Sequence, residues 1–381
     1  MKMLVLGAGR MGLGAAFDFA QQGDVDEVTV ADIDVAKARE VADRVGAKAR
    51  PVHVDVSDRA AVIGLMRGHG AGLSCVVYKL NEHLAKCAIE AGTNFCDLGG
   101  NNDVVAAELA LDAEARGKGI NIIPDCGLAP GMVAVLVAHG AQRFTTLDEI
   151  HIRVGGLPQN PKPPLDYQMV FSVEGLINEY IEQARVIRGG KVVVVESMTE
   201  IESLEFPEPF GTMEAFQTSG GTSTLPETFF GKVQELDYKT IRYRGHCAKF
   251  KTMIDLGLCS SAPMPVDGQS VVPRRLFGEL LVGKLPHDEP DYVLVRVEFK
   301  GDGKGLRYDI IDAYDPATGL SSMMRTTAFP AAIVALMMAR GDILKKGALP
   351  QERCVPPDLF MTELAKRKIE VKESWSNETK S

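Results

Sequence analysis

The stretch Leu4-Val-Leu-Gly-Ala-Gly-Arg-Met-Gly-Leu13 constrains this chain more than any other. Lys2 to Leu6 is a short apolar run of the kind that forms a buried strand, and Leu13 to Gln21 continues as a helix with small residues on one side. Between them stand Gly7, Gly9 and Gly12, spaced G-x-G-x-x-G. In a strand–turn–helix setting Gly7 permits the tight turn, Gly9 lets a pyrophosphate approach the backbone, and Gly12 lets the helix pack closely on the sheet. Arg10 and Met11 open the helix, whose free N–H groups and partial positive charge suit phosphate. A second apolar strand, Glu27 to Ala31, ends at Asp32, about 20 residues further on, where an acid binds the ribose hydroxyls and repels a 2′-phosphate. The expected cofactor is therefore NAD rather than NADP.

Strand and helix patterns alternate over the first 130 residues, which implies an α/β fold with a Rossmann-type doubly wound parallel sheet. Asp34 is placed to cap the helix Val35 to Val45, which leaves Asp32 for the ribose. Asp55 closes a third strand, where it either meets the adenine edge or caps the helix beginning near Arg59. Later strands end at Tyr78, at Cys96-Asp-Leu-Gly-Gly100 and at Asp125-Cys-Gly-Leu-Ala-Pro-Gly131. Ligands of open α/β sheets sit outside the carboxyl ends of the strands, so Tyr78, Asp97 and Asp125 are expected around the nicotinamide end of the cofactor. The alternative for both acids is capping of the helix that follows.

After about residue 145 the pattern changes. Glu149 to Gly156, Lys191 to Met198, Tyr292 to Phe299 and Arg307 to Tyr314 read as strands, the last two as an antiparallel pair, and Ser172 to Gln183 reads as a helix. Thr326 to Arg340 is an apolar helix of small residues, suited to packing back on the first domain. The expected division is residues 1–130 plus about 325–381 for the Rossmann domain and 131–324 for an inserted α+β domain. Arg367 to Ser381 is expected to be a loose tail.

Composition excludes several classes. A net charge of −9 and an isoelectric point near 5.4 argue against nucleic acid as a partner. No run of about 18 apolar residues predicts a membrane span. The seven cysteines are scattered without a C-x-x-C, so neither a zinc site nor any other metal site nor a disulfide framework is suggested. With the first strand beginning at Lys2, the expected location is cytoplasmic. Against this acidic background Tyr238-Lys-Thr-Ile-Arg-Tyr-Arg-Gly-His246 is strongly basic. Arg242 and Arg244 would project from one side of an extended segment, either as a clamp for a carboxylate or as a solvated edge. Thr218-Ser-Gly-Gly-Thr-Ser-Thr224, with Thr222 at its centre, offers hydroxyls for a substrate or makes a flexible turn.

Gly7–Gly12, Cys96–Gly100, Asp125–Gly131, Phe171-Ser-Val-Glu-Gly175, Thr218–Thr224 and Tyr238–His246 together resemble the saccharopine dehydrogenase family, over nearly the whole chain from Met1 to about Lys368. Within it the chain is most similar to members that oxidise free lysine. The resemblance implies a Rossmann domain completed by a C-terminal helix, and an α+β domain that binds substrate and builds a homodimer or higher homo-oligomer. Two departures bear on the substrate. Saccharopine-forming relatives carry an acid before the Pro-Gly after strand six, where this chain has Ala129, and an arginine in the loop corresponding to Thr218–Thr224, where it has none. Both favour L-lysine over saccharopine. The implied reaction is NAD-dependent oxidative deamination of the ε-amine, giving 2-aminoadipate 6-semialdehyde, ammonia and NADH.

That chemistry needs a base, because the ε-ammonium has a reference pKa near about 10.4. Asp97, Asp125, His246 and Lys79 are the candidates, and His246 has the most suitable intrinsic value, about 6.5. Arg242, with Arg244 as second choice, is assigned to the α-carboxylate, and Tyr78 to the nicotinamide pocket. The competing expectations are a saccharopine or carboxylated-polyamine dehydrogenase of the same family, and a non-catalytic NAD-binding sensor.

Overall fold

The computed structural model describes residues 1–170 and 172–377, so Phe171 of the Phe171–Gly175 motif and the last four residues of the expected tail lie outside the described residues. The chain divides into two compact units. The first comprises Met1–Arg143, Ser223–Thr228 and Met324–Val371, and the second Phe144–Thr222, Phe229–Met323 and the segment from Lys372.

In the first unit β1 (Lys2–Leu6), α1 (Arg10–Gln21), β2 (Glu27–Asp32), α2 (Val35–Val45), β3 (Ala49–His53), α3 (Arg59–Met66), β4 (Ala71–Ser74), α4 (Asn81–Ala91), β5 (Asn94–Asp97), α5 (Asn102–Leu109), α6 (Asp112–Gly117), β6 (Asn121–Ile123) and α7 (Met132–Ala141) follow in order. The strands form a parallel sheet in the order β3-β2-β1-β4-β5-β6, extended by the short strand Gly347–Ala348. The strand order reverses between β1 and β4, the switch point at which such sheets bind ligands. Central strands are buried on both faces, which is why Met3–Leu6 is uninterruptedly apolar. One layer of the core joins Leu4, Leu6, Leu84, Phe95, Leu111 and Ile122.

The helix Ser322–Arg340 is long and apolar enough to cross a bilayer by length and composition, yet 89% of its apolar window is buried. Within the first unit it meets α1 through small residues: a Cβ on Gly14 would lie 2.9 Å from the Ala328 Cβ. It is a core helix. Arg367 is no part of a loose tail. Its guanidinium binds both oxygens of the buried Asp18 on α1, at 2.7 and 2.8 Å, and Glu363 at 2.7 Å.

The second unit is a nine-stranded mixed sheet. Its strands include β7 (Glu149–Pro158), β8 (Ala184–Arg188), β9 (Lys191–Val195), β10 (Glu202–Phe206), β11 (Gly211–Gln217) and β12 (Glu235–Arg242), then Asp291–Gly301, Lys304–Ala313 and Lys372–Asn377. β12 and β7 run parallel and the remaining pairs antiparallel. Helices α8 (Val173–Ile181), His246–Asp255 and Pro273–Lys284 share one core, with Tyr180, Phe250, Phe277 and Leu281 packed on Phe216 of β11.

This division departs from the expected one at three places. Helix α7 and Ser223–Thr228 belong to the first unit. The expected loose tail contains the strand Lys372–Asn377, which pairs with Lys304–Ala313 and sets Trp375 5.7 Å from the Phe144 ring. Polar composition suggested a tail there, but an edge strand needs few apolar residues when its ladder supplies the hydrogen bonds.

Candidate functional site

At the start of the first unit Gly7 takes φ +102°, and a Cβ on Gly12 would lie 1.9 Å from the Gly7 carbonyl oxygen, so neither position accepts a side chain in this turn. Gly9 is exposed with open space above its Cα. Helix α1 begins at Arg10 and Met11 with no side-chain cap and no acid in its first turn. This is a built anion cradle, and a dinucleotide pyrophosphate fits it. Asp32 closes the cradle. Its Oδ2 accepts the Ala8 N–H at 2.7 Å and its Oδ1 the Asp34 N–H at 2.8 Å, each oxygen keeping acceptor capacity for a ribose hydroxyl. Asp34 caps α2 through the N–H groups of Ala36 and Lys37. Asp55 is exposed and accepts from the Ser57 N–H and hydroxyl, which hold its carboxyl below the usual range, while Asp58 caps α3. Of the two roles open to Asp55, the helix cap thus belongs to its neighbour.

At the carboxyl ends of β5 and β6 lies a buried carboxyl group cluster. Asp97 is fully buried; its Oδ1 accepts the Gly99 N–H at 2.6 Å and the Asp125 N–H at 3.3 Å. Asp125 is 6% exposed and sits at φ +61°, a left-handed conformation that Asp adopts more readily than most residues. Its Oδ2 accepts the Ser223 hydroxyl and its carbonyl accepts the Gln351 amide. A Cβ on Gly99 would collide with Asp125 Oδ1, so Gly99 leaves room for that carboxyl. Apart from a proton held between the carboxyls of Asp97 and Glu108, the atoms Asp97 Oδ2, Asp125 Oδ1 and both Glu108 oxygens have no N–H or O–H partner among the described residues. Burial, then the charge of Asp97, pushes Asp125 up to about 7. Burial and the neighbouring Asp97 push Glu108 far above the carboxylate range, so it holds a proton that its carboxyl shares with Asp97. A cavity of about 10 Å³ borders Asp125, with Ser223, Thr224, Gln351 and Glu352 in its wall.

Neither Asp97 nor Asp125 caps a helix: Asn101 caps α5, and α7 follows Gly131 with no side-chain cap. Tyr78 opens a 3-10 turn, half-buried, with its Cβ against Gly100; Lys79 beside it is exposed. The sequence reading missed Glu108, Ser223 and Gln351. Glu108 had a signal, since it lies three residues after the buried Val105 and so falls on the inward stripe of α5. Ser223 stood unremarked inside the hydroxyl-rich stretch.

In the second unit the basic stretch does not form one clamp. β12 ends at Arg242, which is 3% exposed, and Arg244 falls in the following turn and is exposed. The strand stops between them, so the alternation that would have put both on one side is broken. Arg242 Nε donates to the Tyr180 hydroxyl at 2.9 Å and Nη1 to the Ile241 carbonyl at 3.0 Å. Its carbon Cζ lies 4.8 Å from the centre of the Tyr167 ring. No carboxylate lies within 4.0 Å of it among the described residues. The Thr222 hydroxyl donates to the Arg185 carbonyl at 3.1 Å and is occupied by the fold. His246 is 1% exposed, and burial, then the Arg242 charge, pushes it down to about 3. It is neutral and enclosed, the opposite of what its intrinsic pKa suggested for a base.

Residues 3–123 match the model of the saccharopine dehydrogenase NADP binding domain, and residues 127–369 that of the saccharopine dehydrogenase C-terminal domain. The fold is an NAD(P)-binding Rossmann sheet joined to that second domain, and the chain belongs to the saccharopine dehydrogenase family. It is 24% identical over 271 residues to saccharopine dehydrogenase [NADP(+), L-glutamate-forming] of Saccharomyces cerevisiae, covering 67% of this chain and 58% of that one. It is 22% identical over 422 residues to alpha-aminoadipic semialdehyde synthase of Mus musculus, covering 91% and 45%. The chain thus spans about half the length of these two relatives. With carboxyaminopropylagmatine dehydrogenase of Synechocystis it shares 21% identity over 391 residues, 95% of each chain. The solved apo saccharopine dehydrogenase of Saccharomyces cerevisiae has the same fold, with a TM-score of 0.81 at 21% identity over 98% of this chain and 99% of that one. The homospermidine synthase of Legionella pneumophila, solved with NAD, gives 0.67 at 12% identity over 98% and 91%.

Proposed function

We propose that this chain is an NAD-dependent dehydrogenase acting at an amine-bearing carbon, with the ε-amine of L-lysine as its substrate: lysine 6-dehydrogenase activity. The observation that carries the reading is the buried Asp97–Asp125 pair: among the described residues Asp125 Oδ1 has no donor, and Asp97 Oδ2 has only the proton it shares with Glu108. Such oxygens attract an ammonium, and a group poised near about 7 is suited to take its proton. Gly9, the first turn of α1 and Asp32 would hold the dinucleotide. The nicotinamide, when bound, accepts a hydride from the carbon that carries the nitrogen.

The chain's own residues do the rest. Asp125 takes the ammonium proton, which leaves the nitrogen lone pair free to form the C=N bond as hydride departs. Asp97 stabilises the cation before that transfer, and Glu108 keeps the pair from carrying a further negative charge. Water then adds to the imine carbon, ammonia leaves, and the semialdehyde remains. Arg242 is assigned to the α-carboxylate. A buried guanidinium with no carboxylate at ion-pair distance is a charge in want of an anion. The same reading takes the protein as a cytoplasmic homo-oligomer, a dimer at its simplest, which light scattering on the eluted protein tests.

A second reading is a carboxylated-polyamine dehydrogenase. The alignment with carboxyaminopropylagmatine dehydrogenase, spanning 95% of both chains, favours it specifically. NADH formation with L-lysine, saccharopine, carboxyaminopropylagmatine and L-ornithine separates the readings, and repeating each assay with NADP tests the role of Asp32. Turnover confined to lysine supports the first reading; turnover confined to the carboxylated polyamine replaces it with the second.

A further inference from the structure

The buried surroundings of Arg242 fix every proton in a chain of four groups. His246 Nδ1 lies 2.9 Å from the Leu165 carbonyl oxygen. A carbonyl only accepts, so Nδ1 carries the ring proton. The enclosed ring is neutral, so Nε2 is an acceptor, and the Tyr180 hydroxyl 3.1 Å away must donate to it. With its proton turned toward His246, the Tyr180 oxygen presents a lone pair to Arg242 Nε at 2.9 Å. Nη1 is held by the Ile241 carbonyl. Nη2 has no acceptor among the described residues. The Tyr167 ring lies under the guanidinium, 5.5 Å from the His246 ring, and its buried hydroxyl has no partner among the described residues. Glu179, the nearest acid named in this cluster, has its Oε1 occupied by the hydroxyls of Thr240 at 2.7 Å and Thr218 at 3.2 Å.

Each member faces one way only. If His246 carried its proton on Nε2, it would donate to Tyr180, and the Tyr180 proton would have to turn toward a guanidinium that can accept nothing. The Leu165 carbonyl forbids that tautomer. The direction of the chain is therefore set at its far end, and it delivers one lone pair to one nitrogen of Arg242.

We propose that Tyr180 and His246 are positioning residues for Arg242, fixing its guanidinium plane so that the Nη2 edge receives the carboxylate of an amino-acid substrate, with the Tyr167 hydroxyl as a second donor to that carboxylate. This rests on the assignment of Arg242 to the substrate carboxylate, which the test probes separately. Neither residue touches the reacting atoms.

The test compares Arg242→Lys, Tyr180→Phe, Tyr167→Phe, His246→Leu and His246→Gln in the full-length, NAD-loaded protein. The readouts are KM and kcat for L-lysine, the same for cadaverine, which lacks the carboxylate, and calorimetric binding of L-lysine and saccharopine, which needs no turnover. Thermal melting confirms that each variant is folded. Tyr180→Phe keeps the ring and its contacts with Phe216, His246 and Phe250 and removes the hydroxyl, that is the lone pair offered to Arg242 and the proton donated to His246. It is expected to raise KM and Kd for the carboxylate ligands about tenfold or more, with kcat, NAD affinity and cadaverine kinetics within about twofold. Tyr167→Phe should raise the same quantities severalfold. His246→Leu should follow Tyr180→Phe, and His246→Gln, which can accept through its amide oxygen, should recover most of the loss. If Arg242→Lys weakens carboxylate binding but Tyr180→Phe and His246→Leu do not, the positioning proposal is overturned while the clamp stands. If Arg242→Lys leaves lysine and saccharopine binding unchanged, the clamp fails and the proposal fails with it. An equal loss for cadaverine and lysine in Tyr180→Phe would mean a general structural role and would also overturn it.

Discussion

Asp125 shows how its surroundings retune one residue's proton affinity. An aspartate in water is ionised from about pH 4 upward. Here burial and the neighbouring Asp97 move that ionisation to about 7, while Ser223 pulls it partway back. If Asp125 must be ionised to take the substrate proton, kcat/KM for L-lysine rises with pH along an acid limb near about 7. Asp125→Asn should lower kcat at least about 100-fold and remove that limb; a retained limb would assign it to another group. Glu108 gives a complementary prediction. Its proton affinity is raised, so its contribution to folding is complete below the unfolded carboxyl value and is lost as pH rises toward its folded one. Glu108→Gln keeps a donor for Asp97 and cannot ionise, so its melting temperature should stay within a few degrees of the parent and fall less at alkaline pH. Glu108→Ala leaves Asp97 Oδ2 without that donor and should cost about 1–3 kcal/mol in urea titrations. Equal losses in the two variants would show that the shared proton is not what Glu108 supplies. The legibility of these residues differed for physical reasons. Asp97 and Asp125 announced themselves by standing at strand ends beside glycines. Glu108 lay in an ordinary helix, and its importance comes from what packs against it. His246 misled because an intrinsic pKa says nothing of enclosure.

At the scale of elements, periodicity and punctuation predicted most of the first unit. The apolar run of β1, the glycine turn, and the acids that close β2 and cap α2 fall where they were read. Local chemistry decides such features, so a local reading finds them. The errors share another cause. The strand Lys372–Asn377 exists because Lys304–Ala313 offers it an edge, and Arg244 turns away because β12 ends at Arg242. Both are settled by partners distant in sequence or by where a strand stops. Arg367 is the sharpest case. In sequence it begins a polar tail; in the fold it is a buried cation tying the C-terminal segment to Asp18 on α1 and to Glu363. Arg367→Ala should cost about 3–5 kcal/mol, because it strands the buried Asp18 without its counter-charge. Urea titration checks this. A loss below about 1 kcal/mol would mean that the pair is as weak as one at the surface.

For the whole molecule, sequence and fold agree on the family, and both family domains are matched along the chain. Reading the motifs together achieved this where the glycine fingerprint alone, shared by many dehydrogenases, would not have. Substrate choice is a finer property. In the proposed reading it turns on a few side chains such as Ala129 and on the loop Thr218–Thr224, not on the sheet. The central claim, oxidation of an amine carbon by NAD, is tested most directly by following NADH absorbance with L-lysine labelled with ¹⁵N at the ε-nitrogen, beside saccharopine, carboxyaminopropylagmatine, L-ornithine and buffer. The account predicts NADH formation with lysine and release of labelled ammonia in equal amounts. Tight NAD binding with no NADH formed from any of these amines would contradict it and point to a protein that senses the dinucleotide instead of using it.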